Sequence, residues 1–181
     1  MSISHHQPND SERITPLVVD RLLNSVLIFV LLHALFAWFS HRFVVGHDAQ
    51  KFLCLDGEHR WYLIDRGQRS PELGDLVAYR SDEKMAPQIP LGTLVVKRVA
   101  GLPGDSVDLE PQGLRIQGEM HPARYPHRFQ LMERALPVGA RLIVPEDGIW
   151  VMGDHPKSFD SRYFGPIEDR LIIGVAHALP F

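Results

Sequence analysis

A chain of 181 residues, 45% hydrophobic and 23% charged, can build one ordinary domain plus an attachment. A net charge of −3 gives no basis for a nucleic-acid partner, and 14 Gly with 14 Pro fit many short strands and turns rather than disorder. The single cysteine, Cys54, excludes an intramolecular disulfide; the ten histidines are scattered, with no His-Glu-x-x-His or Cys/His cluster, so neither a metal nor another cofactor is expected.

Residues 1–16 are polar, carry Pro8 and Pro16 and mix Asp10, Glu12 and Arg13, which reads as a flexible tail. Residues 17–40 read as a membrane anchor. From Leu22 to Phe39 there is no Asp, Glu, Lys or Arg, and a helix over that run spans about 27 Å, close to the thickness of a hydrocarbon core. Trp38, Phe39 and Phe43 suit an interfacial aromatic belt. The run is too long for a cleaved leader and Ala34–Trp38 offers no small-x-small cut site. Arg13 and Arg21 before the span balance Arg42 and Lys51 after it, so flanking charge leaves the orientation open.

Residues 41–181 change character. Arg60–Ile64, Leu76–Arg80, Thr93–Ala100, Ser106–Leu109, Leu114–Ile116, Leu142–Val144, Ile149–Met152 and Leu171–Ala178 are short apolar runs separated by Gly and Pro. Many short strands with no helical periodicity between them predict a mostly β domain of short antiparallel strands, preceded by one N-terminal transmembrane helix. Residues 119–134 are polar and proline-bearing and read as a loop.

The stretch from Gly92 to Asp105, GTLVVKRVAGLPGD, is a buried-strand pattern with one lysine in it. Alternation puts Val95, Lys97 and Val99 on one face and Leu94, Val96, Arg98 and Ala100 on the other. Lys97 is thus expected among valines. Burial disfavours a charged ammonium, and a lysine that can lose its proton near neutral pH is a general base. Later, VMGDHPKSFDSRYFGPI at 151–167 crowds Asp154, Ser158, Asp160, Ser161 and Arg162 into one loop. Asp160 and Arg162 can form a charge-assisted pair, and either Ser158 or Ser161 can hold a lysine amine.

Three segments, GDLVAY at 74–79, KRVAGLPGD at 97–105 and GDHPKSFDSRYFG at 153–165, follow a membrane anchor in the order seen in type I signal peptidases, the serine/lysine leader peptidases, and the chain resembles that family. Small size and a weak first motif look most like the TraF-type peptidases of conjugative transfer systems, which mature pilin subunits. The resemblance implies a signal-peptidase-like β domain in which Lys97 is the general base. Ser161 would orient its amine, Asp160 and Arg162 would brace the loop, and Asp154 would help position it. It also implies a cytoplasmic tail, a single pass through a bacterial inner membrane and a periplasmic peptidase domain.

The family's nucleophilic serine, in a Ser-Met-x-Pro or Ser-Leu-Pro motif, has no counterpart here. Between the anchor and the first strand candidate the chain reads HDAQKFLCLDGEH, and Cys54 is the candidate in register. Cysteine is more acidic than serine and the better nucleophile at neutral pH. A Cys54/Lys97 dyad is therefore expected, with the Cys54 N–H as oxyanion donor and Phe52 where a second, hydroxyl donor sometimes stands. The implied partners are the lipid bilayer and a pre-protein or prepilin with small residues before the cut, of the Ala-x-Ala type. Its extended leader would add to a sheet edge near the lysine strand. The alternatives are a housekeeping signal peptidase and a catalytically silent β module that binds secretion-system proteins.

Overall fold

The computed structural model describes residues 10–48, 54–57, 59–122, 139–155 and 158–180. Residues 1–9 of the expected tail, Phe52, and residues 123–134 of the expected loop lie outside these. The chain divides into two compact units at His41/Arg42.

The first unit is the helix α1, Asp10–Arg42. From Val18 to Arg42 it is long and apolar enough to cross a membrane. It starts earlier than the composition suggests: residues 10–16, expected in the tail, are helical, and Pro16 lies inside the helix. A proline removes one backbone hydrogen bond, and the long apolar continuation supplies the propagation that carries the helix past it.

The second unit holds eleven strands among the described residues: β1 (Phe43–His47), β2 (Trp61–Asp65), β3 (Leu76–Arg80), β4 (Leu94–Gly101), β5 (Ser106–Glu110), β6 (Gly113–Ile116), β7 (Glu119–Pro122), β8 (Arg141–Ile143), β9 (Gly148–Met152), β10 (Ile167–Glu168) and β11 (Ile172–Ala178). A one-turn helix α2, Ser161–Phe164, follows β9. The strands form a seven-stranded sheet in the order β1-β2-β11-β3-β4-β9-β10 and a four-stranded sheet in the order β7-β6-β5-β8. Every pairing is antiparallel.

The eight strands expected from apolar runs are present with small shifts at their ends. The other three are edge or near-edge pieces. β1 follows the anchor with no turn residue to announce it. β10 is two residues long. β7 takes the start of the segment expected as loop, and it is an edge strand, the position in a sheet where Pro122 is tolerated.

β4 lies inside the large sheet, between β3 and β9, and its side chains alternate between partly and fully buried along its whole length. Val95 and Val99 enter a core with Val77, Tyr79, Met85, Ile149 and Val151. Leu94 and Val96, on the opposite face, pack beside Leu55, Tyr62, Ile64 and Ala176. A third cluster, around Trp150, ties the small sheet to β9 through Val107, Leu114 and Ile116. Both faces of β4 are thus covered, which gives the near-continuous apolar text of that strand.

β11 carries an irregularity against β3 between Ile172 and Gly174. A Cβ at Gly174 would overlap the carbonyl of Asp65 on β2, so only glycine allows the three strands to close here. Gly174→Ala is expected to destabilise the β unit by about 1–3 kcal/mol, the usual cost of overpacking, read as a lower denaturant midpoint with an unchanged slope.

Candidate active site

Alternation along β4 carries Lys97 inward, and it is 2% exposed. Its Nζ donates to Ser158 Oγ at 2.9 Å. Among the described residues no carboxylate pairs with it. Ser158 is itself buried and is held in place by its own N–H, which donates to the His155 carbonyl at 2.9 Å.

This corrects the expectation for the lysine's partner. Ser161 does not take the amine; its Oγ accepts the N–H of Val151 at 2.9 Å. The reason is local. Asp160 is the N-cap of α2, accepting from the Arg162 N–H, which makes Ser161 the first helical residue and turns its hydroxyl onto the β9 backbone. Ser158 lies ahead of the cap and meets β4.

Asp160 has no exposed surface, and its carboxylate is saturated. Oδ2 accepts from the Gly153 N–H at 2.9 Å and from Arg162 Nη2 at 2.6 Å. Oδ1 accepts from Arg162 Nε at 2.7 Å and from its N–H at 3.3 Å. Burial works against the Arg162 charge, and the hydrogen bond and charge of Asp160 overcome it, so the guanidinium is held above its ordinary value. Cutting one member of such a buried pair costs about 3–5 kcal/mol, since it strands the other charge.

Cys54 and Leu55 are buried, and the described stretch 54–57 is tied down at two points. The Cys54 carbonyl accepts from the His155 N–H at 3.0 Å. The Asp56 N–H donates to Asp154 Oδ2 at 3.0 Å. Asp154 in turn receives a two-pronged pair from Arg98, Nε to Oδ1 at 2.9 Å and Nη2 to Oδ2 at 2.8 Å. Gly153 marks where these segments converge: a Cβ there would overlap the Ser158 side chain and crowd the Cys54 carbonyl. Arg98 had no role in the sequence reading. Its signal was weak, because a strand arginine on the face opposite the lysine looks like a solvated charge.

A cleft of about 300 Å³ is lined by Cys54, Leu55, Tyr62 and Ile89 together with residues 46–48 at the end of β1 and 93–97 leading along β4. The cysteine and the lysine therefore share one cleft. β9 pairs with β4 only from Arg98 onward, so among the described residues no strand pairs with the β9 side of β4 ahead of Arg98, beside that cleft. An unpaired strand edge receives an extended peptide by backbone hydrogen bonding. Among the described residues no group of His, Cys, Asp and Glu could hold a metal ion.

An all-antiparallel β unit that follows an apolar helix, with a cysteine and a buried, hydroxyl-bonded lysine on one cleft, has the layout of a lysine-assisted peptidase. The chain belongs to the signal peptidase family, peptidase S26, which matches residues 19–180. It is 32% identical over 117 residues to signal peptidase I of Bacillus licheniformis, covering 60% of this chain and 58% of that protein. It is 31% identical over 111 residues to signal peptidase I of Leptolyngbya laminosa, covering 59% and 51%. The chain thus spans about half the length of these curated relatives. A crystal structure of a signal peptidase I from Enterococcus faecalis superposes with a TM-score of 0.39 at 28% identity, over 60% of this chain and 97% of that one.

The Asp154 clamp has a pH signature. The hydrogen bond from Arg98, ahead of the Asp56 N–H, holds the Asp154 carboxyl below its ordinary value against the opposing effect of burial. A carboxyl lowered in the folded state stabilises fully above its unfolded value, about 3.9, and loses that stabilisation as pH falls through the lower folded value. Asp154→Asn is expected to melt below the wild type at pH 7, with the gap closing as pH falls below about 4; thermal melts from neutral into acid check it, and a gap that persists in acid rules the clamp out as its source.

Proposed function

We propose that this chain is a membrane-anchored signal peptidase that removes the leader of exported precursors with Cys54 as nucleophile and Lys97 as general base. The observation that carries the reading is the shared cleft, in which Lys97 is buried against the Ser158 hydroxyl and forms no ion pair with a carboxylate among the described residues. Ser158 aims the amine and brings no charge of its own.

In this mechanism the leader lies extended along the β9 side of β4 ahead of Arg98. Lys97 takes the thiol proton, and the thiolate attacks the scissile carbonyl. The Cys54 N–H receives the developing oxyanion; a well-placed donor of this kind contributes about 3 kcal/mol. Lys97 returns the proton to the departing amine, leaving a thioester. A water that gives its proton to Lys97 then releases the leader and regenerates the thiol. Ser158 keeps the amine on the cleft side through each transfer, and the Asp154–Arg98 pair keeps the cysteine loop against β4.

α1 would hold the domain at the outer face of a bacterial inner membrane, where leaders emerge. The finer substrate reading is a precursor with small residues before the cut, pilin subunits of a conjugative transfer system among them. The three motif segments support it.

The test is cleavage of an Ala-x-Ala leader peptide by full-length protein in detergent micelles. Cys54→Ala and alkylation of the thiol are expected to abolish turnover. Lys97→Ala is expected to lower it at least about a hundredfold without unfolding the domain, and Cys54→Ser to keep part of it. Turnover that survives both changes at Cys54 removes it as nucleophile. A wild-type protein that binds leader peptides and cleaves none is the silent binding module instead. Separately, Ser158→Ala is expected to cut kcat by about tenfold or more with little change in KM, the mark of a group that positions the base rather than the substrate.

A further inference from the structure

Helix α1 carries one polar side chain that the peptidase chemistry leaves without a task. The span runs from Val18 to Arg42, and His33 lies about 5 Å from its midpoint at 1.5 Å per residue. The nearer end is about 13 Å away, too far for so short a side chain to reach the headgroups. Among the described residues the His33 ring stacks on Phe29, with centroids 6.3 Å apart, and neither ring nitrogen has a hydrogen-bond partner. Lipid tails offer none, so a lone imidazole at this depth is an uncompensated cost. Its polar neighbours differ. Ser25 is satisfied within the helix, donating to the Arg21 carbonyl at 2.8 Å. Asn24 lies on the opposite side of the helix, within a turn of Arg21.

The residues around His33 form a seam. Val26, Val30, His33, Ala37 and Ser40 are spaced by four, three, four and three, the repeat that keeps one face of a helix against a neighbour. They share an arc of about 80° on the helix. The bulky rings of Phe29, Phe36, Trp38 and Phe39 fall outside that arc. The seam itself is β-branched or small apart from the histidine, which lets two backbones approach. All five of its side chains are exposed.

We propose that this seam pairs α1 with the α1 of a second copy of the chain, His33 hydrogen-bonding to its own counterpart. Symmetry and hydrogen-bond chemistry select that occupant. Two copies that enter a bilayer the same way have parallel helices, so each seam position meets the same position of the other copy. A neutral imidazole has one donor and one acceptor nitrogen, and two of them complete each other, the N–H of one donating to the bare nitrogen of the other. A single self-complementary polar residue on a seam is a known means of fixing register and partner. Ala37 and Ser40, about one and two turns further on, let the helices close. The inference concerns the anchor alone and stands whether or not Cys54 is the nucleophile.

Association is read as energy transfer between full-length molecules carrying a donor or an acceptor dye at the N-terminus, reconstituted together in phosphatidylcholine vesicles over a range of protein-to-lipid ratios. The wild type is expected to transfer above the level set by random proximity, and unlabelled wild type to compete the signal away. His33→Leu keeps an apolar helix of the same length and is expected to weaken association about threefold to tenfold, the range for one interhelical hydrogen bond. His33→Asn, which keeps a donor and an acceptor, is expected to retain it. Ala37→Leu thickens the seam and is expected to weaken it, while Leu35→Ala, on the opposite side of the helix, is expected to change nothing. Transfer at the random level, or transfer that survives His33→Leu, overturns the proposal. An equal loss in Leu35→Ala overturns it as well, since association would then not run through the seam. A dyed leader peptide that transfers to the wild type only when His33 is present, with no transfer between copies, makes the leader the occupant instead.

Discussion

The burial of one amine constrains the rest of this domain. Lys97 is 2% exposed on a strand whose neighbours on that face are valines, and taking an ammonium out of water is costly unless it is paired or gives up its proton. The fold supplies a hydroxyl rather than a carboxylate. A carboxylate in its place would form a buried ion pair. A hydroxyl brings no charge and fixes the amine's direction. Ser158 lies ahead of the α2 cap, where it meets β4.

Two ion pairs hold that loop and differ in kind. Asp160–Arg162 is almost wholly buried and internal to the loop, with the Gly153 N–H as an additional donor. It works as a covalent-like staple whose loss strands a charge in the core. Asp154–Arg98 is partly solvated, with 40% of the arginine side chain exposed, and its Coulomb energy is correspondingly modest. Its importance is connectivity. One carboxylate joins β4, the turn after β9 and the backbone of the cysteine loop, so three segments distant in sequence share one hydrogen-bonded point.

Much of this was legible in the sequence, and the division between what was and was not is physical. The alternation in Thr93–Ala100 predicted that Lys97 faces inward, because a period of two leaves a side chain no other choice once both valines are buried. The anchor and eight strands followed from runs of apolar residues. The edge strands β1, β7 and β10 did not, since an edge buries less and its text carries less pattern. Ser158 and Ser161 could not be told apart. The decision depends on which residue caps α2, and Asp160 and Ser158 are both good caps by composition. Arg98 escaped because a strand arginine looks like surface charge, and only its pair with Asp154 sets it apart.

Adjacent residues of β4 hold the two ends of the same loop from opposite faces. Lys97 meets Ser158 on the face of the Val77–Val151 core, while Arg98 meets Asp154 on the other. β9 parts from β4 at Met152, opposite Arg98, and Asp154 and Ser158 beyond it reach β4 on its two faces. A slip of one residue in the β4 register would exchange the two faces, turning Lys97 out toward Asp154 and driving Arg98 into the valine core. Base and clamp would be lost together. The apolar alternation that buries Val95 and Val99 therefore protects the reactive geometry as well as the core, and stability and chemistry are specified by the same pattern of side chains.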